Sequence, residues 1–245
     1  MNNLQSQSTA LKTRSKQALT SVSLIIPAYN DEETVGRLID DADTVLSELA
    51  TNYEIVVVND GSKDRTLDVL QGRAEVNPHV RVINHPVNKG FGYTIRELYL
   101  SGKMDFIFSL PGDYQYAPKE LVKMAKGLDK HDFVIGLRLH RNDPPRRKFQ
   151  SKIYNLMLRT FYGHKHKDVN SIKLFRRAIV ETVELRSYSP FVDAELCIRA
   201  ERAGFKVVEI PIEHLPRMTQ GASGGKFSVI WETFSDLIGM RKTFK

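Results

Sequence analysis

The chain has 245 residues, of which 41% are hydrophobic, with 15 glycines, 10 prolines and a single cysteine, Cys197. This composition suits one large domain or two small ones and excludes a disordered or collagen-like chain. One cysteine also excludes an intrachain disulfide framework, which indicates a reducing compartment or a fold indifferent to redox state. The formal net charge of +7 predicts attraction to a polyanion of one of three classes: nucleic acid, anionic lipid or a phosphorylated substrate.

The amino terminus and the hydropathy pattern bear on location. Residues 1–20 are polar, rich in Ser, Thr, Gln and Lys, and contain no acid, which predicts a flexible basic arm. No window approaches the roughly 18 consecutive apolar residues of a spanning helix, and the amino terminus lacks the apolar core of a secretory signal. We therefore expect a cytoplasmic protein, with peripheral attachment to the cytoplasmic face of a membrane as the alternative.

Apolar runs and helical stripes alternate along the chain. Residues 21–27, SVSLIIP, predict a first strand that stops at Pro27. A helix follows, because its apolar residues recur at the spacing of one helix face: Val35, Leu38, Ile39, Ala42, Val45, Leu46 and Leu49. Further predicted strands are 53–60, 80–85, 104–110, 132–138 and 205–212, and further predicted helices are 64–75, 91–101 and 119–128. This alternation, with no linker that would divide the chain, predicts a single α/β domain with a mostly parallel sheet flanked by helices.

Polar residues follow several of the predicted strands. In open α/β sheets ligands bind beyond the carboxyl ends of the strands, where Asp31, Asp60 and Asp113 would meet beside Tyr29. An aromatic ring can stack on a base, carboxylates can accept from base N–H and ribose hydroxyl groups, and a further carboxylate can hold a divalent cation against a diphosphate. Each segment taken alone is also ordinary turn chemistry. The segment 88–98, NKGFGYTIREL, lacks the third glycine of the dinucleotide-binding fingerprint, so we interpret it as structural.

Seven segments together resemble one known family. They are LIIPAYNDEETV (24–35), VVVNDGSKDRT (56–66), NKGFGYTIRE (88–97), LPGDYQYAPKEL (110–121), VIGLR (134–138), KDVNSIKLFRR (167–177) and FVDAELCIRAERAGFKVVEIPI (191–212). In order and spacing they are similar to the family 2 glycosyltransferases of the GT-A fold, and in particular to the polyprenyl-phosphate sugar transferases such as dolichyl-phosphate mannose synthase. The resemblance covers residues 21–225 and implies an enzyme with a Rossmann-like GT-A domain.

The resemblance implies a site for a nucleotide-diphosphate sugar. The residues that would line the nucleotide pocket are Pro27, Ala28, Tyr29, Asp31, Asp60 and Gly112, with Asp60 near the base. Of the family's Asp-x-Asp pattern this chain keeps only the second aspartate, Asp113, because Pro111 replaces the first. Asp113, with Gln115 as a helper, is the implied ligand of Mg²⁺ or Mn²⁺, which would offset the charge that develops on the departing diphosphate. A Pro-Gly turn capped by Asp113 is the alternative.

The resemblance also implies a site for the acceptor. Basic residues after the strand near 132 would contact an acceptor phosphate, which guanidinium groups bind bidentately, and a later loop would close over the diphosphate. The implied residues are Arg138, Arg146, Arg147, Lys148, Arg217 and Ser223. Asp193 is the implied general base if the acceptor is a hydroxyl, whereas a phosphate monoester is already ionised. A solvated basic loop and a carboxylate that opens a helix are the alternatives for these two groups.

Residues 226–245 predict a C-terminal amphipathic helix. One face carries Phe227, Ile230, Trp231, Phe234, Leu237 and Ile238, and the end of the helix carries Arg241, Lys242 and Lys245. Packing on the body of the protein and shallow insertion at an anionic membrane surface are both open interpretations.

Residues and resemblance together predict an inverting, metal-dependent transfer of a sugar from a GDP- or UDP-sugar to a polyprenyl phosphate, dolichyl or undecaprenyl. One alternative is transfer to a glycan hydroxyl. Another is a non-catalytic module that binds a nucleotide sugar or nucleic acid, although we expect no nucleic-acid partner.

Overall fold

The computed structural model of the protein describes residues 19–139, 145–216 and 227–244. Within them the chain forms one seven-stranded sheet with the strand order β3-β2-β1-β4-β6-β5-β7. The strands are β1 Leu19–Ala28, β2 Ala50–Asn59, β3 Val80–Asn84, β4 Phe106–Ser109, β5 Phe133–Arg138, β6 Lys173–Arg176 and β7 Val207–Ile212. The predicted basic arm reaches too far, because Leu19 is buried and pairs with Ala50, so β1 begins two residues before the predicted strand. Residues 1–18 of that arm lie outside the described residues.

The helices of the described residues lie between and after the strands. They are α1 Val35–Leu49, α2 Thr66–Val76, α3 Phe91–Ser101, α4 Glu120–Ala125, α5 Pro145–Tyr162, α6 Ala178–Thr182, α7 Val192–Arg202 and α8 Phe227–Gly239. Short 3-10 helices, Lys126–Asp129 and Met240–Phe244, follow α4 and α8. No helix in these ranges is both long enough and apolar enough to cross a bilayer.

The sheet is parallel except for one strand. β1 pairs in parallel with β2 and β4, β2 pairs with β3, and β5 pairs with β7. β6 is antiparallel to both of its neighbours, β4 and β5. The predicted single α/β domain with a mostly parallel sheet is therefore confirmed, while β6 and α5 were not predicted.

Apolar side chains cover both faces of the sheet. Leu24 and Ile26 of β1 belong to one buried cluster and Ile25 to the other, as the two-residue repeat of a strand requires. Because both faces are buried, the central strands are continuous apolar runs in the sequence. The stripe predicted on α1 packs into the first cluster, with Val45 partly buried at its margin. This arrangement leaves the ends of the strands as the places where polar side chains can gather.

Candidate functional site

The loops after β1, β2 and β4 meet at the carboxyl edge of the sheet. The backbone N–H of Asp60 donates to the carbonyl of Ala28 at 2.9 Å, and the N–H of Gly112 donates to the carbonyl of Pro27 at 3.2 Å. The order β2-β1-β4 puts these three loops side by side, since their strands are adjacent and parallel. The predicted nucleotide-binding residues therefore lie in one place.

The loop after β1 fits closely against the turn at Gly112. Asp31 is buried, and its Oδ2 accepts the backbone N–H of Tyr29 at 3.0 Å. A Cβ atom at Gly112 would lie only 2.8 Å from that oxygen, which is why a glycine stands here. Thr34 Oγ1 donates to the carbonyl of Gly112 at 2.8 Å and ties the two loops together.

Asp113 lies in the turn after β4, next to Gly112. The side chain is 6% exposed, and its Oδ1 accepts the backbone N–H of Gln115 at 3.2 Å. The turn alternative for Asp113 is thus part of the structure, and it is compatible with cation binding because each carboxylate oxygen has two lone pairs. The carbonyl of Gln115 accepts the N–H of Leu215 at 2.9 Å, which holds the segment after β7 against this turn.

The donors at this turn fit a hard divalent cation of the kind the resemblance implies. Among the described residues no group of three His, Cys, Asp or Glu side chains could hold a metal ion. Mg²⁺ and Mn²⁺ need no such group, because they are often bound by one or two carboxylates, with phosphate oxygens and water as the other ligands. Asp113 with Gln115 is a donor set of that kind, and Asp31 lies across Gly112 from it.

Asp60 uses its carboxylate within the protein. Its Oδ1 accepts the N–H of Lys89 at 2.8 Å and lies 2.9 Å from His85 Nδ1, and its Oδ2 accepts the N–H of Gly90 at 3.0 Å. His85 Nε2 in turn lies 2.6 Å from a carboxylate oxygen of Glu97. These contacts join the segment 85–90 to the end of β2, a structural role that sequence reasoning missed. The placement of Asp60 near a base stays a prediction.

A cavity of about 70 Å³ lies beside these loops. Its wall includes Pro27 from β1, Pro111 from the turn after β4, Lys173 from β6 and Asp193 from α7. A larger cleft, of about 440 Å³, is lined by residues at the opposite ends of β1 and β4, including Leu19 and Phe106. Ligands in open α/β sheets bind at the carboxyl ends of strands, so the smaller cavity is the candidate site.

Asp193 is held in that cavity by two donors. Its Oδ1 accepts the hydroxyl of Tyr99 at 2.5 Å and lies 3.0 Å from the ammonium nitrogen of Lys173. Burial, together with the charge of Asp193, raises the pKa of Tyr99 well above its usual value of 10.0, so this hydroxyl remains a donor. Asp193 also lies in the first turn of α7, as the helix-opening alternative predicted. Tyr99 and Lys173 were missed, the first within a helix stripe and the second on an unpredicted strand.

Arg138 stands at the end of β5 in a bidentate ion pair with Asp168. Its Nε donates to Asp168 Oδ2 at 2.7 Å, its Nη2 donates to Asp168 Oδ1, and the backbone N–H of Arg138 donates to Oδ2 at 3.2 Å. Glu209 of β7 fixes Asp168, because Glu209 Oε1 accepts the N–H groups of Lys167 and Asp168 at 2.6 and 3.0 Å. The guanidinium is therefore held in one orientation.

Two histidines, His164 and His166, contact the carboxylates of Glu201 and Glu209 next to the Arg138–Asp168 pair. Burial opposes the charge of His166, but Glu201 and Glu209 outweigh it and raise the pKa of His166 to about 9. Burial acts to raise the pKa of Glu201, but His164 and His166 lower it to about 2. A protonated His166 thus joins α7 and β7 through two carboxylates.

Tyr116 connects the two parts of the site. It lines the cavity, and burial raises its pKa, while Arg138 lowers it and the charges of Asp168 and Asp113 raise it. Charges from both parts of the site therefore act on one buried hydroxyl.

Residues 23–184 match the family model described as glycosyl transferase family 2. The chain belongs to glycosyl transferase family 2. It is 29% identical over 210 residues to a dolichyl-phosphate beta-glucosyltransferase of Trichomonas vaginalis, an alignment that covers 78% of this chain and 65% of the relative. It is 30% identical over 203 residues to an undecaprenyl-phosphate 4-deoxy-4-formamido-L-arabinose transferase of Pseudomonas fluorescens, which covers 80% of this chain and 58% of the relative. The chain thus spans less than two thirds of the length of these relatives.

Solved structures confirm the fold of this family 2 glycosyltransferase. A crystal structure of glucosyl-3-phosphoglycerate synthase from Mycobacterium tuberculosis, in complex with Mn²⁺, UDP and glucosyl-3-phosphoglycerate, matches with a TM-score of 0.70. The match covers 91% of this chain and 80% of that chain at 16% identity, so it bears on the fold alone. The GT-A fold and the resemblance to the polyprenyl-phosphate transferases are confirmed.

The other predicted acceptor residues of the glycosyltransferase are only partly described. Arg146, Arg147 and Lys148 belong to the first turn of α5 rather than to a loop, and their side chains lie outside the described part of the structure. Arg217 and Ser223 lie outside the described residues altogether.

The predicted C-terminal helix of the glycosyltransferase is present as α8. It packs on α5, because the carbonyl of Leu237 accepts the hydroxyl of Tyr162 at 2.5 Å and the rings of Phe234 and Tyr154 are 6.4 Å apart. Packing on the body of the protein is thus present, but Trp231 is 67% exposed, and insertion of this helix at a membrane surface stays a prediction. Helix α8 ends at Gly239, short of the predicted boundary, and Lys245 lies outside the described residues.

Proposed function

We propose that this family 2 glycosyltransferase transfers a sugar, with inversion, from a nucleotide-diphosphate sugar to a polyprenyl phosphate in a divalent-cation-dependent reaction. The observation that carries the proposal is that one cavity brings together Pro27 of β1, Pro111 of the turn that holds Asp113, and Asp193. The relatives are a dolichyl-phosphate and an undecaprenyl-phosphate sugar transferase, which supports the choice of acceptor.

The donor would bind along the loops after β1, β2 and β4. Asp31 and Asp113 are each fixed by a backbone N–H, so both carboxylates are in place before a ligand arrives, and such preorganisation contributes to catalysis. Asp113 and Gln115 would hold Mg²⁺ or Mn²⁺, which supplies a Lewis acid for the leaving diphosphate. A known structure with this fold was solved with Mn²⁺ and UDP, which supports the assignment.

A phosphate acceptor suits this site better than a hydroxyl acceptor. A phosphate monoester has a second pKa of about 6 and is already a nucleophile at neutral pH, so it needs no general base. Asp193, the residue that would serve as a base, already receives two donors at Oδ1. Arg138 would bind the acceptor phosphate, and Asp168 fixes the orientation of its guanidinium.

The lipid part of the acceptor would reach the site along α5. Phe149, Ile153 and Leu156 occupy one helix face and are 64, 38 and 62% exposed, while Tyr154 and Leu158 on the other face are buried. Lys152 and Arg159 are exposed on the same helix. A basic helix with an exposed apolar stripe is typical of segments that lie in a membrane interface, which supports peripheral attachment on the cytoplasmic face.

The decisive experiment is a transfer assay with two classes of acceptor. Radiolabelled UDP-glucose and GDP-mannose are each offered with undecaprenyl phosphate, dolichyl phosphate or a soluble glycan, with Mn²⁺ or with EDTA. We expect label in the lipid fraction only, from one donor, and only with the cation. Label in the glycan would show that the acceptor is a glycan hydroxyl rather than a polyprenyl phosphate. Turnover undiminished by EDTA would show that the reaction does not need the cation.

A further experiment tests the membrane contact. The double variant Phe149→Ser, Leu156→Ser should bind vesicles of phosphatidylcholine and phosphatidylglycerol at least tenfold more weakly than the unchanged protein, because about 0.8 kcal/mol is lost for each buried CH₂ that is removed. Val76→Ser, at the end of α2, removes an even more exposed apolar side chain and is the matched control. Equal vesicle binding by all three proteins would exclude α5 as the contact.

A further inference from the structure

Lys173 carries a fully buried ammonium group that has no role in the proposed reaction. Its side chain is 1% exposed and lies on β6, where Lys173 is paired with Ser109 of β4 on one side and with Ile135 of β5 on the other. Lysines are almost never fully buried unless they are paired, because removing the charge from water costs several kcal/mol. A lysine at the centre of a sheet therefore needs an explanation.

The partners of Lys173 do not exhaust its donors. An ammonium group has three N–H donors. In the described part of the chain they meet two acceptors, Asp193 Oδ1 at 3.0 Å and the carbonyl of Ser171 at 2.9 Å. The hydroxyl of Tyr99 donates to the same Oδ1 of Asp193 at 2.5 Å, and no hydrogen bond from the described residues reaches Oδ2. The pair thus keeps one donor on Lys173 and one acceptor oxygen, Oδ2, on Asp193.

Both side chains line the cavity of about 70 Å³ whose wall also includes Pro27 and Pro111. The carboxylate offsets the charge of the ammonium, so the pair has little net charge and is a poor partner for an anionic phosphate. A hydroxyl group both donates and accepts, and therefore matches the donor of Lys173 and the acceptor of Asp193 together. Phe91 and Ile172 add apolar wall, which suits the C–H face of a sugar ring.

We propose that Lys173, together with Asp193, binds hydroxyl groups of the transferred sugar and so helps to select the donor. The inference rests on the proposed function and deepens it. Lys173 would hold the sugar inside the cavity, while the diphosphate lies at the turn of Asp113. Asp193 would then act as a sugar ligand rather than as a base.

The test separates recognition of the sugar from recognition of the nucleotide. Dissociation constants are measured calorimetrically for UDP and UDP-glucose, and for GDP and GDP-mannose, in the presence of Mn²⁺. For the nucleotide and nucleotide sugar that bind, the dissociation constant of the nucleotide divided by that of the nucleotide sugar gives the contribution of the sugar to affinity. We expect Lys173→Met to lower this ratio about tenfold, since hydrogen bonds to charged groups are the stronger kind, and to leave nucleotide affinity unchanged. Lys173→Arg, which keeps the charge, should recover part of the ratio.

Arg199→Met is the matched control. Arg199 is the partner of buried Glu195 on the same helix as Asp193, with Nε 2.8 Å from the carboxylate, but it does not line the cavity. Its loss should lower the melting temperature and leave the ratio unchanged. A structural role for Lys173 would give the same result as this control.

The outcomes distinguish the inference from the proposed function. If the unchanged protein binds none of the four ligands, the proposed function fails. If it binds them and Lys173→Met leaves the ratio unchanged or weakens nucleotide and nucleotide sugar equally, the inference alone is overturned. Should Lys173→Met fail to fold, the unchanged protein is titrated with singly deoxygenated analogues of the sugar. At least one analogue must then bind about tenfold more weakly, and equal binding of all of them overturns the inference.

Discussion

Two parts of the site hold their charged groups in different ways. At the carboxylate edge, formed by the loops after β1, β2 and β4, Asp31, Asp60 and Asp113 each accept backbone N–H groups of their own or neighbouring loops. At the arginine edge, formed by Arg138, the segment 163–168 and β7, the charged groups hold one another: Arg138 binds Asp168, and His166 binds Glu201 and Glu209. Backbone donors do not titrate, whereas His166 does. Asp60 also contacts His85, so the contrast applies to the turns of Asp31 and Asp113, which we expect to keep their geometry between pH 6 and pH 10 while the arginine edge responds to pH.

The largest effect should follow from Asp113→Asn. The amide oxygen can still accept the N–H of Gln115, so the turn should persist, but the negative charge for the cation is lost. We expect turnover to fall about 100-fold or more, with the melting temperature unchanged and the Mn²⁺ dependence weakened. Asp129→Asn, on the exposed 3-10 helix after α4, is the control and should retain full activity. Normal turnover by Asp113→Asn would remove this residue from the site.

Gly112→Ala probes how closely the carboxylate edge is packed. The added Cβ would lie 2.8 Å from Asp31 Oδ2 and 3.1 Å from the carbonyl of Pro27, so the loop after β1 must shift. We expect nucleotide affinity to fall about tenfold and stability to fall by about 1–3 kcal/mol. Both are measured by titration calorimetry and denaturant unfolding.

Gly72→Ala on α2 is the matched control, because a Cβ there meets nothing within 4 Å. It should leave nucleotide affinity unchanged and stabilise the protein by up to about 1 kcal/mol, as Ala is the better helix former. Unchanged nucleotide affinity in Gly112→Ala would mean that the position of Asp31 does not matter to binding.

Asp168→Asn should affect the arginine edge alone. The variant loses the charge that orients Arg138 but keeps a side chain of the same size, so the guanidinium would sample other positions. We expect the KM for polyprenyl phosphate to rise several-fold, with the affinity for the nucleotide sugar unchanged, because a bidentate phosphate ligand works only when it is oriented. A rise in the donor KM instead would indicate that Arg138 serves the donor.

The same contrast explains what the sequence could reveal. Asp31 and Asp113 follow apolar strands, and each accepts a backbone N–H that is only two residues away along the chain. Local patterns were therefore enough to place both residues at one edge of the sheet. Lys173 and Tyr99 could not be found that way, since β6 has only four residues and the hydroxyl of Tyr99 contacts a carboxylate 94 residues along the chain. Helix α5 was hidden because its exposed face is apolar, which obscures the usual helical stripe. The pairing of Arg138 with Asp168 was also invisible, because Asp168 precedes β6, an unpredicted strand that pairs with β5.

The smallest effect should be the pH dependence of stability that His166 confers. The pKa of His166 is raised to about 9 in the folded protein, above the usual histidine value of 6.5. Its contribution is therefore fully present below about pH 6.5 and is lost as the pH rises through about 9. Integrated over this window the loss is on the order of 2 kcal/mol after allowance for partial exposure, or roughly 5 °C in melting temperature.

Differential scanning fluorimetry from pH 6 to pH 10 measures this loss. His166→Gln should flatten the decline, while His131→Gln, whose ring contacts only the carbonyl of Gly127 at 3.1 Å among the described residues, should leave it in place. The nucleotide affinity of the unchanged protein should stay nearly constant over the same range, because backbone N–H groups hold the carboxylates that we assign to the donor. A parallel loss of nucleotide affinity would show that the two edges are coupled, and the contrast between them would then fail.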